Sequence, residues 1–114
     1  MGDNSIDLLR GTVDMLLLRA LKDGPRHGYG MADWIRGVTD DALSIDDGAL
    51  YTALHRMEDR GLVRSDWGVS DRGRRARFYE LTAAGRAELV RGGKEWEAYA
   101  GAVSKVFAAE AGEA

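Results

Sequence analysis

The residues from 48 to 59 place a set of hydrogen-bonding side chains at helical spacing. The set consists of Gly48, Tyr51, Thr52, His55 and Asp59. Phenol, hydroxyl and imidazole groups can reach phosphate oxygens and base edges, whereas a merely solvated helix face more often carries Lys and Glu. These residue types therefore favour contact with nucleic acid, and an ordinary surface helix is the alternative.

Basic side chains are concentrated a short distance further along the chain. Residues 55–77 carry 7 Lys and Arg against 4 Asp and Glu, whereas residues 1–54 carry 5 against 9 and residues 78–114 carry 4 against 6. Four of the arginines fall in one short segment, at Arg72, Arg74, Arg75 and Arg77. Guanidinium groups at this density would lie along a phosphate backbone, and the alternative is a solvated turn. The formal charge of −3 does not forbid such a contact, because screening limits the field of the acidic segments to about 10 Å.

Residues 44–61 are predicted to form the helix that positions the first set. Ser44 and Asp47 have the spacing of a capping box, and Gly61 supplies a left-handed stop. An apolar stripe at i, i+4 and i+7 must lie against a core, and it consists of Leu50, Leu54 and Met57. The hydrogen-bonding set lies on the opposite face, which would point outwards.

Two helices are predicted before this one. Residues 8–22 are apolar on two faces, and the second face, formed by Leu8, Met15 and Leu18, is expected to meet another subunit. Residues 27–38 carry an apolar stripe formed by Met31, Trp34, Ile35 and Val38. The glycines at 28 and 30 are a weak signal for a phosphate-binding loop, because the full dinucleotide fingerprint is missing.

Beyond Gly61 the apolar period changes from that of a helix to that of a strand. Residues 62–67 and 76–81 are predicted to form a hairpin with the arginines at and just inside its tip. Thr82 is the predicted N-cap of one helix over residues 83–109, about 40 Å long. Its heptad positions resemble a coiled-coil seam, and they are Leu89, Trp96, Tyr99, Val103 and Val106. A helix of this length is expected to cross to a partner, so a homodimer is predicted.

Composition argues against several classes of protein. The 114-residue chain has 45% hydrophobic residues, one proline and no cysteine, which predicts a helix-rich fold without disulfides or thiolate metal sites. Its apolar run at residues 15–18 is too short for a membrane span or a signal peptide, so a cytoplasmic protein is expected. The two histidines lie far apart, the carboxylates form no metal-ligand cluster or acid–base pair, and no serine has a nucleophile setting. Neither an enzyme nor a cofactor is predicted.

Five sequence blocks then occur in the order of a known family. They are RGTVDMLLLRAL, HGYGMADWI, GALYTALHRMEDRGLV, SDWG and RRARFYELTAAGR, and with them the chain resembles the PadR-type transcriptional regulators nearly end to end. The resemblance implies an α+β, mostly helical fold. A winged helix-turn-helix domain of three helices plus a β-hairpin wing would span residues 1–82, and one long C-terminal dimerisation helix with a tail would span residues 83–114. Thr52 departs from the family pattern, because many members carry proline there.

The resemblance also implies contacts with double-stranded DNA. The residues expected to make them are His27, Tyr29, Ser44, Tyr51, Thr52, His55 and Arg56, together with the four arginines of the hairpin. Among them Thr52, His55 and Arg56 would face bases. His27, Tyr29 and Tyr51 would hold phosphates. Repression is the family's usual behaviour. The alternative is a winged-helix protein-interaction module that never meets DNA, which predicts an apolar patch on the Tyr51 face.

Trp96 lies four residues from both Gly92 and Ala100, so the three share one stripe of the last helix. One interpretation is that Trp96 is a seam residue and that the glycines let a partner helix approach. The other follows from the resemblance, because some short PadR-like regulators place a tryptophan at the matching position, where two indoles sandwich a flat aromatic compound. The pore would be lined by Met15, Leu18, Arg19, Gly92, Trp96 and Ala100, and the dimer interface would include Leu8, Leu89, Tyr99, Val103 and Val106.

Overall fold

A computed structural model describes residues 2–110, with side chains described from residue 11 onwards. The described chain forms α1 (Gly2–Ala20), β1 (Arg26–His27), α2 (Gly28–Val38), α3 (Asp47–Asp59), β2 (Val63–Val69), β3 (Arg75–Leu81) and α4 (Ala83–Ala108). Three helices, a hairpin and a long last helix follow in the predicted order. The α+β, mostly helical, winged helix-turn-helix fold is therefore confirmed.

One apolar core lies between the helices and the base of the hairpin. The predicted stripe of α3 is fully buried in it, and the other elements contribute Leu17, Leu18, Leu21, Met31, Ile35, Val63, Tyr79 and Leu81. The predicted stripe of α2 is wrong at its last position. Val38 is 59% exposed, because α2 ends there and the chain turns away at Thr39.

The second apolar face of α1 is covered in part by the same protomer. Leu18 is buried, and Met15 packs against Gly92 of α4 so closely that a Cβ atom at Gly92 would meet the Met15 thioether. The expectation that this face meets another subunit is therefore wrong at Leu18, whereas Met15 is half-buried and stays a prediction. Leu8 lies outside the residues whose side chains are described.

The ends of α3 are set by a different cap from the predicted one. Asp46 is the N-cap, and its Oδ1 accepts a hydrogen bond of 2.9 Å from the Ala49 N–H. The predicted Ser44–Asp47 capping box is wrong, because Asp46 lies one residue before the helix, where its short side chain reaches a free amide. The predicted stop is confirmed, since Gly61 has a φ of 74° and Leu62 N–H bonds back to the Met57 carbonyl.

The three strands form an antiparallel sheet in the order β1-β3-β2. β2 and β3 pair with Trp67 opposite Arg77 and with Val69 opposite Arg75. β1 was not predicted, because a strand of two residues is too short to show an alternating pattern. The sheet places the tip of the hairpin, with Gly73 at a φ of 75°, beyond the helical core.

The long helix α4 begins where it was predicted to begin. Thr82 is its N-cap, accepting from the Gly85 N–H at 3.0 Å and donating to the Gly61 carbonyl at 2.6 Å. The start of α4 is thereby joined to the end of α3. Within residues 2–110 no helix is both long and apolar enough to cross a membrane.

Candidate nucleic-acid interface

The outward face of α3 carries the predicted hydrogen-bonding set. Gly48, Thr52, His55 and Asp59 are exposed, and Tyr51 is 39% exposed. Because Leu50, Leu54 and Met57 anchor the opposite face, the set is held on a rigid helix. The side chains of Thr52 and His55 form no hydrogen bond with another described residue, so both can reach a ligand.

Tyr51 links α3 to the start of α2. Its phenol lies directly over Gly28, where a Cβ atom would come within 2.5 Å of the Tyr51 hydroxyl. Burial raises the pKa of Tyr51, and the neighbouring charges of Tyr29, Asp47 and Tyr79 raise it further. The phenol therefore keeps its proton at neutral pH and can donate it to a phosphate. Tyr29 is exposed in the same neighbourhood.

His27 has a structural role that the sequence did not reveal. Its Nδ1 accepts a hydrogen bond of 3.0 Å from the Gly30 N–H and so caps α2. Its ring lies edge-on to Phe78, with the ring centroids 5.3 Å apart. Because Nδ1 accepts this bond, Nε2 is the ring nitrogen left to donate to a phosphate.

Arg56 follows Thr52 by one helical turn, and its side chain borders the same cavity as that of Thr52. Its Nη2 lies 2.6 Å from Asp14 Oδ1, in a half-buried ion pair that joins α3 to α1. The expectation that Arg56 faces bases stays a prediction, and such a contact would compete with the ion pair to Asp14. Ser44 is exposed in the loop before α3, separated from the helix by Ile45 and the Asp46 cap.

The four hairpin arginines fall into two groups. Arg72 and Arg74 are exposed in the turn, where described residues provide them with no ion pair. Arg75 and Arg77 lie over Trp67, with their guanidinium carbons 4.5 Å and 5.7 Å from the ring centroid. Arg77 also donates from Nε to Ser65 Oγ at 2.8 Å. Sequence reasoning missed Trp67, although this residue ends the predicted strand 62–67 just before the arginine-rich turn.

A groove of about 1160 Å³ runs between α1 and α4, and it collects most of the predicted ligand residues. Met15, Leu18, Arg19, Gly92 and Trp96 border it, whereas Ala100 does not. Trp96 is 51% exposed and its ring centroid lies 5.9 Å from that of Tyr99. The guanidinium of Arg19 is turned towards α2, where it lies 5.2 Å from the Trp34 ring.

The second half of α4 carries apolar side chains that the protomer leaves uncovered. Tyr99, Val103, Val106 and Phe107 are exposed there, and Val90 is exposed in the first half of the helix. Leu89 differs from the other predicted seam residues, because it packs in part against the protomer's own core.

Comparisons with known proteins agree with this architecture. The Transcriptional regulator PadR-like family matches residues 17–91. Uncharacterized protein X of Lysinibacillus sphaericus is 33% identical over 91 residues, which cover 79% of this chain and 83% of that protein. Transcriptional regulator Rv3488 of Mycobacterium tuberculosis is 35% identical over 81 residues, covering 71% of this chain and 72% of that protein.

A solved structure gives the same result. The chain is similar to a transcriptional regulator from Clostridium thermocellum, Cth-833, with a TM-score of 0.77 and 31% identity over 87% of this chain and 96% of that one. The matched family, the Mycobacterium tuberculosis relative and the Clostridium thermocellum structure are transcriptional regulators and not enzymes. Because the family model matches more than half of this chain, the chain belongs to the PadR-like family of transcriptional regulators.

Proposed function

We propose that this PadR-like regulator is a homodimeric repressor that binds double-stranded DNA through α3 and the β2–β3 hairpin and is released by a flat aromatic ligand. The observation that carries the proposal is the placement of the exposed α3 face beside the arginine hairpin. Ser65 of β2 donates a hydrogen bond of 2.7 Å to Glu58 of α3, which ties the two surfaces together. Thr52 and His55 would then meet base edges in the major groove while the hairpin meets the adjacent backbone.

The acidic start of α3 favours an approach through the middle of the helix. Asp46 and Asp47 suit the positive end of their own helix dipole, but they would repel a phosphate placed there. Thr52 and His55 lie one to two turns further on. Arg72, Arg74 and Arg75 are the hairpin arginines best placed to hold the flanking phosphates, because Arg77 has partners inside the protein.

A protein-interaction module without DNA binding finds less support in the composition of this face. Such a module would present an apolar patch around Tyr51. The residues beside it on the outer face are Gly48, Thr52, His55 and Asp59, and none of them carries a large apolar side chain.

The proposed dimer surface and the proposed ligand site both involve α4. Its exposed Tyr99, Val103 and Val106 provide an apolar surface that a second copy would bury. The groove between α1 and α4 opens beside Trp96, so that two protomers could bring two indoles to face each other. A planar aromatic compound fits between two such rings, and its binding would couple to DNA through α1, which packs on α3.

Selection of bound fragments from the source genome tests DNA binding and identifies the operator together. With the operator in hand, affinity is measured against salt concentration for the wild type and for the double variant Arg74→Ala with Arg75→Ala. The variant should bind all sequences more weakly. The magnitude of the negative slope of log affinity against log salt should decrease by about 2, because two phosphate contacts are lost. A matched control, Lys94→Ala with Lys105→Ala, makes the same change in net charge on exposed positions of α4.

Two further results decide the proposal. Thr52→Ala or His55→Ala should change the preference between operator variants more than the overall affinity. A promoter carrying the operator should be silenced by the wild type. Equal binding by the wild type and the double arginine variant would remove the hairpin from the DNA interface.

A further inference from the structure

The wing of this protein carries a large aromatic side chain in an unusual setting. Trp67 is 52% exposed, although tryptophan is normally placed where most of its surface is covered. Because side chains alternate along a strand, the register puts Trp67, Val69, Arg75 and Arg77 on one face of the hairpin. The core does not cover this face at the level of Trp67, and the guanidinium groups of Arg75 and Arg77 lie over the indole.

The Arg75 contact has the geometry of a cation–π interaction. The guanidinium carbon of Arg75 lies 4.5 Å from the centroid of the indole, well inside the range of about 6 Å at which the ring attracts a cation. An arginine side chain loses much rotamer freedom when it binds a phosphate. An arginine already held against a ring loses less, so the indole prepares Arg75 for binding.

Arg77 is held by a different set of partners. Its Nε donates to Ser65 Oγ at 2.8 Å, the Ser65 hydroxyl donates to Glu58 Oε2 at 2.7 Å, and Arg77 Nη2 lies 3.9 Å from the same carboxylate. The Ser65 hydroxyl is thus used both as donor and as acceptor. Since Glu58 belongs to α3, this network fixes the base of the wing to the helix that would enter the major groove.

We propose that Trp67 is a positioning residue for DNA binding: its indole holds Arg75 against the wing, pointed at a flanking phosphate, while the Arg77–Ser65–Glu58 network sets the angle between the wing and α3. This inference rests on the proposed DNA-binding function. It assigns different roles to two arginines that the sequence does not distinguish. Arg75 contacts the backbone and releases a counterion, whereas the charge of Arg77 is used inside the protein.

A double-mutant cycle between Trp67→Leu and Arg75→Ala tests the inference. Leu keeps an apolar side chain but removes the π face, and Trp67→Phe restores a ring. In the wild-type background Trp67→Leu should weaken binding to the recovered operator about twofold to fivefold, which is the effect of losing one exposed cation–π contact. In the Arg75→Ala background the same change should have no effect. With Arg75 present, Trp67→Phe should keep part of the affinity that Trp67→Leu loses. Val69→Thr, on the same face without a ring, is the matched control.

The salt dependence separates the two arginines. Arg75→Ala should decrease the magnitude of the negative slope of log affinity against log salt by about 1. Arg77→Gln should weaken binding and leave this slope nearly unchanged. Proton NMR of the free protein adds a readout that needs no DNA, because the indole should shift the side-chain protons of Arg75 upfield and Trp67→Leu should abolish that shift. Thermal unfolding checks that each variant is folded.

The outcomes are distinguishable. Equal losses from Trp67→Leu with and without Arg75, or an Arg75 proton shift unchanged by Trp67→Leu, would overturn this inference and leave the proposed function standing. Failure of the wild-type protein to bind any genomic fragment would overturn the proposed function and this inference together.

Discussion

At the scale of single residues, the interface depends on which polar atoms are free. His27 Nδ1 is used to cap α2, Arg56 is paired with Asp14, and Arg77 is bonded to Ser65. Thr52 and His55 keep their side-chain donors and acceptors available to a ligand. Tyr51 lies between these cases, because its hydroxyl and the adjoining ring edge lie over Gly28 while 39% of the residue stays exposed.

Tyr51→Phe tests the phenol as a phosphate ligand. The loss of one hydrogen bond should reduce operator affinity about threefold to tenfold, equivalent to about 0.5–1.5 kcal/mol, with little change in the free energy of unfolding at neutral pH. Tyr99→Phe removes an exposed hydroxyl on α4 and should leave DNA affinity unchanged. Unaltered affinity in Tyr51→Phe would show that its hydroxyl does not contact the backbone.

Alkaline pH gives a second test of Tyr51. Burial raises the pKa of Tyr51 and of Tyr79 above the ordinary value near 10. The folded state therefore favours the neutral phenols, and their contribution to stability is full below about pH 10 and is lost as the pH rises through the folded-state pKa. Denaturant unfolding followed across this range should show a smaller alkaline loss of stability for Tyr51→Phe than for the wild type. An identical pH profile would mean that the phenol is as well solvated in the folded state as in the unfolded chain.

At the scale of elements, the decisive junction is the start of α4. Thr82 bonds to both Gly61 and Gly85, and Gly85 lies so close to the Leu62 backbone that a Cβ atom would come within 2.0 Å of the Leu62 carbonyl oxygen. This close approach fixes the direction in which α4 leaves the winged domain. The position of the seam residues relative to α3 follows from it.

Gly85→Ala should therefore destabilise the protein by about 1–3 kcal/mol or more, because a rigid backbone carbonyl cannot move aside as a flexible side chain can. Gly101→Ala in the same helix is the matched control. A Cβ atom there meets nothing within 4 Å in the protomer, so the change should stabilise α4 by about 0.8–1.0 kcal/mol. Chemical denaturation measures both, and equal stabilisation by the two changes would contradict the close approach.

At the scale of the whole molecule, the shape indicates a partner. The described chain measures 60 × 28 × 26 Å, because α4 extends well beyond the core. Val103→Asp should place an unpaired charge in the proposed seam and weaken the dimer by several kcal/mol. Ser104→Asp adds the same charge at the next position of α4. Sedimentation velocity at low micromolar concentration should give a dimer for the wild type and a smaller species for Val103→Asp, and a stable wild-type monomer would contradict the prediction.

Ligand binding belongs to the same scale, because the proposed site needs two copies of Trp96. A planar aromatic dye should quench tryptophan fluorescence in the wild type by stacking between the indoles. Trp34 and Trp67 also emit, so the titration is repeated with Trp96→Ala, in which the quenching should disappear. If the dye quenches both proteins equally, or quenches neither, Trp96 belongs to the dimer core alone.

Much of the fold was determined locally by the sequence. The periods of the apolar residues predicted α2, α3 and the hairpin, and two caps, Gly61 and Thr82, were identified by residue type and position. These features depend on backbone conformation and hydrogen bonds within a few residues, and such short-range rules can be read along a chain. The exposed Thr52–His55 face followed as well, because a buried stripe leaves its opposite side outside.

Tertiary structure alone decided which polar side chains are already engaged. The Arg56–Asp14 pair joins residues 42 positions apart, and the Met15–Gly92 contact joins α1 to α4. The stacking of Arg75 on Trp67 depends on the strand register, which the turn sets. Asp46 and not Ser44 caps α3, because the chain enters the helix at Asp46. This entry follows the turn at Asp40 and Asp41, both of which have positive φ. Residue type predicts what a side chain can bind, but only the packed arrangement determines which partner reaches it first.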